Sequence, residues 1–423
     1  MVKNDPKRSN GDPDVSEFWI KKFPFLFVGA MITANYLAGV KLVQLGIPYL
    51  GEHVCAVPDS LLNTLMALMA IIASIMGIVS GLMLDKFGLK FKKRLFLLIV
   101  SITVEGIIVV FAFIISTSTQ FMVWIIAFSI VLGFLLSQPF VFFFMLIPRK
   151  HRGLMAGVCV GLCYLIGNLS WASWTFSGLA METMFTSIPM GIMILLALVN
   201  QDKLAIFNYN REKRKTYDGN LHKIYSYALV TLLMFGVYFV DSFGFLRIRQ
   251  EGFFSSLWQG DYIVRVQLGV VHLVTAVFLG KLYAKNERGP IYVFLVSFAG
   301  FIISDLLFAS YPTGALVLIS GYLYCTTVSA YTVNAFAIWS DLSNADNVSH
   351  RTGIGIGVGG WLSSFISTAI TEELFNYLPG REGFTGHMLI TVIIAAIFLI
   401  LTGAAYYKIF KQKNTIQSEK NVN

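Results

Sequence analysis

Charge is scarce in this chain. Asp, Glu, Lys and Arg supply 13% of its 423 residues and apolar types 56%, against roughly a quarter charged in ordinary soluble domains. With a mean hydropathy of +0.70, a soluble globular protein is excluded and a polytopic membrane protein is indicated. Cysteine is equally sparse. The four present give no disulfide framework; Cys159, Cys163 and Cys325 fall inside apolar runs and Cys55 near a connecting loop, so all four read as small packing residues. The six histidines are scattered, which leaves no metal-ligand cluster. Neither a Walker loop nor a soluble domain large enough to hydrolyse ATP is present. No enzyme activity, cofactor or metal is therefore expected, and a gradient-driven carrier fits better than a pump. The glycine-rich run 353–360 has no strand before it and no phosphate-binding lysine, so it is not a nucleotide loop. Short alternating segments are lacking too, which excludes a membrane β-barrel.

What the chain does have is long apolar runs. A membrane helix needs about 20 mostly apolar residues, and twelve such spans are predicted: 24–50, 60–84, 94–116, 120–147, 153–177, 183–200, 225–247, 261–284, 290–310, 313–339, 352–372 and 386–408. The net charge of +9 comes from bases in the short connections between these runs, so it marks orientation and not a nucleic-acid partner. With the N-terminus inside, every Lys and Arg falls on the inner side except Arg247, Arg249, Arg265 and Arg381, with Lys41 inside a helix. Both termini are thus expected in the cytoplasm of a cell membrane protein. Residues 1–23 lack the apolar core of a secretory signal and are expected to remain as a cytoplasmic tail.

The basic loop 201–224, containing Arg211-Glu212-Lys213-Arg214-Lys215, divides the spans six and six. Two related halves follow from internal repeats. Gly81 and Lys86 recur as Gly280 and Lys285, and His151-Arg152 as His350-Arg351, all at an offset of 199 residues; Glu105 and Asp305 are offset by 200. The expected organisation is a 24–200 half, a 201–224 linker, a 225–408 half and a 409–423 cytoplasmic tail.

Between the second and third spans lies Gly81-Leu82-Met83-Leu84-Asp85-Lys86-Phe87-Gly88-Leu89-Lys90-Phe91-Lys92-Lys93-Arg94. Its glycines permit a tight turn and its bases hold that turn to an inner membrane surface. The order Gly-x-x-x-Asp-Lys-x-Gly-x-Lys resembles the loop between helices 2 and 3 of the major facilitator superfamily, the twelve-helix secondary transporters. Helix count, central basic loop and half repeat extend that resemblance over 24–408. It implies an all-α fold of two pseudo-symmetric six-helix halves, working by alternating access about a central site. The second copy has Ala284 where the first has Asp85, so that acid is expected to act in one half only. Helix 4 lacks the buried arginine of proton-linked members and helix 5 the Gly-Pro signature of antiporters, which weakens drug–proton exchange. Gly81, Asp85, Lys86, Gly88, Arg152 and Arg351 are the expected gating residues, with Asp85 approaching the start of helix 11 near Ser349 to Gly353, where free N–H groups and Arg351 favour negative charge.

Ionisable residues at membrane depth invite a functional reading. Lys41 and Asp241 sit at equivalent depths in helices 1 and 7. The resemblance places both helices around the central cavity, so the two would face each other across it, as a substrate site or as a structural salt bridge. Arg247, Arg249 and Arg265 cluster near the outer mouth and would draw anions; Gln138, Tyr324, Tyr331 and Asn334, with Asn35 and Tyr36, add polar and aromatic character to cavity helices. For proton coupling the candidates are Asp241, Glu105, Asp305 and His272. Glu105 and Asp305 have as their alternative a structural hydrogen bond to a neighbouring helix, and His272 a packing role. The expected function is alternating-access transport of a small solute, an organic anion, coupled to protons or exchange, by a monomer in a lipid bilayer. The competing readings are a multidrug exporter and a non-transporting scaffold or sensor.

Overall fold

The computed structural model describes residues 22–422 apart from 87, 89, 170–174, 203, 205–223, 252–253, 255–256 and 258–260. Residues 1–21 of the expected N-terminal tail and nearly all of the 201–224 linker lie outside the described residues.

Among the described residues, twelve helices form the bundle: α1 (23–54), α2 (Asp59–Lys86), α3 (Phe91–Phe111), α4 (118–146), α5 (Arg149–Asn168), α6 (Phe176–Val199), α7 (Tyr227–Gln250), α8 (Tyr262–Lys285), α9 (Gly289–Ala309), α10 (Ala315–Asp341), α11 (348–377) and α12 (Gly380–Val422). Eleven are long and apolar enough to span a membrane. The exception, α5, is 20 residues long and opens on Arg149, Lys150, His151 and Arg152, which dilute its apolar run. The segment expected as the 409–423 tail continues α12 as helix to Val422.

Local chemistry sets the ends and breaks. A capping box between Thr117 and Gln120 starts α4; Thr175 caps α6 through the Gly178 N–H at 3.2 Å, and Asp261 caps α8 through the Ile263 N–H at 2.8 Å. Pro139 has no N–H for the α4 ladder, and that helix is interrupted at Ser137. Helices α1 and α11 contain wide π-helical turns, at Gly39–Gly46 and Leu50–Val54 in α1 and at Gly355–Leu362 in α11, a distortion frequent at functional sites.

Lipid, not water, is the solvent for much of the surface. Phe96, Ile107 and Val110 on α3, Ile192 and Leu195 on α6, Val274 and Phe278 on α8 and Ile393 and Ile400 on α12 are all exposed, as expected of lipid-facing helix walls in a multi-pass membrane protein. By contrast, α10 is buried without interruption from Thr327 to Asp341. Of the cysteines, all four are buried, and burial pushes the Cys55 thiol up from its ordinary value.

Among the helix pairs along which the α1–α6 and α7–α12 halves meet, two are closed by glycines. Glycines let α5 and α8 approach closely: a Cβ on Gly153 would lie 2.7 Å from Tyr283 Cδ1, and one on Gly157 3.0 Å from the Ala276 carbonyl carbon. Helices α2 and α11 meet in the same way at the end of the bundle that carries the basic loops, termed the basic end here.

Candidate substrate cavity and gate

At the basic end the two halves are sealed. A Cβ on Gly81 would stand 2.7 Å from both His350 N and Ser349 O, and one on Gly353 2.8 Å from the Gly77 carbonyl carbon. No side chain fits between these backbones. Asp85, next along α2, caps α11: its carboxylate accepts from the Ser349 N–H at 2.9 Å and the His350 N–H at 3.0 Å, and His350 Nδ1 lies 2.8 Å from it. A carboxylate here satisfies first-turn amides and opposes the positive end of the helix dipole. Gly88, at φ +63°, turns the chain in the left-handed region that favours glycine. Arg94 then clamps the turn, donating to Gly88 O at 3.0 Å and Leu84 O at 2.7 Å. Lys86 is exposed. The contact expected of Asp85 is present, but Arg351 is not its partner; that guanidinium donates to Leu342 O and lies over the Tyr227 ring at 5.2 Å.

A second seal pairs α5 with α10. Arg152 donates to Asp341 Oδ1 at 2.7 Å and Ser340 O at 2.9 Å across the halves, and to Phe144 O and Ile147 O within its own half. Asp341 also accepts from Tyr283 of α8 at 2.8 Å. Both ion-pair side chains are buried, at 6% and 2% exposure.

Above these seals lies a cavity of about 890 Å³. Its floor includes Tyr36, Phe140, Phe336 and Trp339, with ring centroids 5.4 Å apart for Tyr36–Phe336 and 5.6 Å for Phe140–Phe336. Its mouth, at the opposite end, includes Glu52, His53, Arg249, Arg265 and Glu372, of which Glu52 and His53 are half exposed. The cavity is therefore open at one end and closed at the other.

Lys41 and Asp241 both line this space, but the structure does not pair them. Lys41, 3% exposed, donates to Glu182 of α6. Asp241 takes hydrogen bonds from two tyrosines of α10, Tyr324 to Oδ1 and Tyr331 to Oδ2, the latter at 2.5 Å. Glu182 was missed because the predicted sixth span began at 183, whereas α6 begins at Phe176; two buried, opposite charges on cavity helices were the available signal. Asp341 was missed similarly, lying two residues beyond the predicted end of span ten. His272 lines the cavity, bonded through Nδ1 to Ser329 Oγ at 2.8 Å and stacked on Tyr164 at 4.1 Å.

Other expected site residues are elsewhere. Gln138 faces α3 and donates to Ser101 Oγ at 3.2 Å; Asn334 donates to Pro290 O at 3.0 Å and ties α10 to the start of α9. Arg247 is 2% exposed and donates to Leu378 O at 3.1 Å and Gly380 O at 3.4 Å. The reason is helical phase: each residue rotates the side-chain direction by roughly 100°, so a step of one or two positions moves a side chain from the cavity to a neighbouring helix. Arg265 does reach the mouth, and Arg381 stacks on Tyr311 at 4.6 Å. Glu105 is half buried on α3, away from the cavity. Asp305 is 1% exposed and neither oxygen has a hydrogen-bond partner among the described residues; it packs behind α7, where a Cβ on Gly244 would lie 3.6 Å from Oδ2. The structural hydrogen bond expected of these two acids is thus not made by either among the described residues.

No family model and no curated protein matches the sequence. Solved structures do match in shape. A proton:xylose symporter of the major facilitator superfamily, XylE bound to 6-bromo-6-deoxy-D-glucose, is 13% identical with a TM-score of 0.64, over 90% of this chain and 95% of its own. A bacterial homologue of the iron transporter ferroportin, in an outward-facing state with soaked iron, gives 11% identity and a TM-score of 0.59 over 91% and 99%. The human organic anion transporter MFSD10 gives 12% and 0.57 over 93% and 100%. Helix count, paired halves, central cavity and the shared architecture of these structures agree: this chain has the fold of the major facilitator superfamily.

Proposed function

We propose that this chain is a secondary active transporter that carries a small solute across a cell membrane by alternating access. The observation that carries this reading is the cavity, reachable from one end only and sealed at the other by contacts between two halves that can rock against each other. With the basic end in the cytoplasm, as the distribution of Lys and Arg favours, the conformation is open to the outside. An organic anion, the cargo expected from Lys41 and the outer arginines, draws less support, because Glu182 neutralises Lys41 and Arg247 is built into the wall.

Flux of labelled solutes into liposomes holding the purified protein tests the proposal; a scaffold or sensor with this fold would move none. Asp85→Asn is expected to slow flux severalfold without changing which solute is carried, since a neutral amide caps the α11 amides less well by about 0.3–1 kcal/mol or more. Full activity in that variant would remove the gate from the proposal.

Proton coupling is proposed at Asp305. Neither Asp305 oxygen has a hydrogen-bond partner among the described residues, a buried carboxylate so placed is costly to hold, and Asp241 and Tyr324 are close enough to interact with it electrostatically. The faces around it contribute Asp241 from α7 and Tyr324 from α10, and Thr391 of α12 meets the same Gly244 position as Asp305. Acidifying one side of the membrane is expected to change the transport rate, and Asp305→Asn to flatten that response while leaving the fold intact. A pH response unchanged by the substitution would exclude this role.

A further inference from the structure

We infer that the deep half of the cavity recognises an organic ammonium cation, through Asp241 and the aromatic rings around it. The charge balance supports this first. At the mouth Arg249 and Arg265 stand with Glu52 and Glu372, and at depth Lys41 is matched by Glu182. With the histidines neutral, Asp241 is then the one ionisable group of the described cavity lining whose charge is not offset by another.

Hydrogen bonding does not change that balance. Tyr324 and Tyr331 each donate to one carboxylate oxygen, which orients the group, but a neutral hydroxyl brings no compensating charge. Arg249 lies eight residues further along α7, about 12 Å away at helical rise. An anionic solute reaching this depth would meet a like charge, whereas an ammonium group supplies the missing counter-ion.

The rings supply the second half of the site. Tyr164, Tyr238, Phe245, Tyr324 and Tyr331 line the cavity with Asp241. Tyr238 and Phe245 are close to one turn either side of Asp241 on α7; Tyr238 meets Tyr331 edge-on at 4.9 Å, and Phe245 stacks on Tyr324 at 5.7 Å. Aromatic faces around a carboxylate attract the diffuse positive charge of a substituted ammonium through their quadrupoles, most strongly when water is excluded. The cavity volume of about 890 Å³ admits a drug-sized molecule of this kind.

This inference takes the cavity as the binding site of the proposed carrier, but its test needs no transport. The probes are benzyltrimethylammonium, whose charge is independent of pH, and benzoate, an anion on the same ring. Binding to the full-length protein in a maltoside detergent, which carries no ammonium of its own, is read by thermal shift and by the fluorescence of Trp339 and Trp361, both in the lining. The cation is expected to bind in preference to benzoate, and Asp241→Asn to raise its Kd roughly tenfold or more. Should that variant fold poorly, Glu182→Gln provides a separate check. It leaves the Lys41 charge unmatched, so cation affinity should fall severalfold and benzoate binding should emerge. Failure of the cation to bind wild-type protein, tighter binding of benzoate, or unchanged affinity in both variants would overturn the inference. Cation binding without flux in liposomes would instead overturn only the carrier reading, and flux of other solutes without cation binding only this one.

Discussion

Gly353→Val is expected to drive the protein out of the conformation described here. The new side chain would enter a space already occupied by the Gly77 backbone, 2.8 Å from its carbonyl carbon. Backbone cannot rotate aside as a side chain can, so α2 and α11 must separate. Overpacking of this kind costs about 1–3 kcal/mol, which converts to a population shift of roughly 5- to 150-fold. In the proposed alternating-access cycle the shift is toward the state open at the basic end, because opening that end must part the Gly77–Gly353 and Gly81–His350 contacts that close it here. A single cysteine at Ser340, 1% exposed in the interface between the halves, provides the readout. It should react slowly with a polar maleimide in the parent protein and many times faster with Gly353→Val present. The native cysteines are all buried and give a low background. Equal labelling rates would show that the glycine contact does not hold the gate.

Asp341→Ala should cost more. It removes the acceptor of both Arg152 and Tyr283 and leaves a guanidinium buried at 6% exposure, held by carbonyl oxygens and the Phe144 ring at 5.0 Å but with no carboxylate bonded to it among the described residues. Breaking a buried pair from one side costs about 3–5 kcal/mol, whereas exchanging both partners for apolar residues of similar volume is often neutral. The single variant is therefore expected to lower Tm markedly in detergent, and Arg152→Met combined with Asp341→Leu to recover most of the loss. If the double replacement is no better than the single, the pair is not acting as an isolated charge couple, and its hydrogen bonds to Ser340, Phe144 and Ile147 carry the stability.

These two contacts also mark where sequence reading worked and where it failed. Asp85 was placed correctly against α11 because its environment is local and repetitive: a glycine turn, a basic surface and a helix start that needs an anion. Its partner Arg351 was misplaced, since charge type alone does not say which way a guanidinium swings; here Leu342 O and Tyr227 claim it. Glu182 and Asp341 were lost for a different reason. Both sit just beyond the ends of the predicted apolar spans, where one acid lowers the hydropathy of a window although the helix continues. Once buried, each is matched by a base from a helix far away in sequence, Lys41 over 141 residues and Arg152 over 189.

The same limit explains Gln138, Asn334 and Arg247. Each is on a helix expected to line the cavity, yet each points at a neighbouring helix. In a membrane protein the hydrophobic pattern that fixes helix phase in water is weak, because lipid and protein interior are both apolar. Phase is then set by close packing of small residues and by polar pairs, which exist only after the bundle assembles.

By itself, then, the sequence determined that this is a multi-pass membrane protein, and it led to the expectations of twelve spans in two related halves, of an orientation set by the basic loops and of a gate at the turn 81–94. Those features follow from the length of apolar runs, the cost of moving charge across lipid and a repeat at one offset, all of them properties of the chain read locally. Only the tertiary structure decided that Lys41 answers Glu182 and not Asp241, that Asp341 locks Arg152, and that Asp241 stands among tyrosines with no counter-ion among the described residues. Which buried charge finds which partner depends on distances of a few ångströms between helices that the chain itself separates by more than a hundred residues.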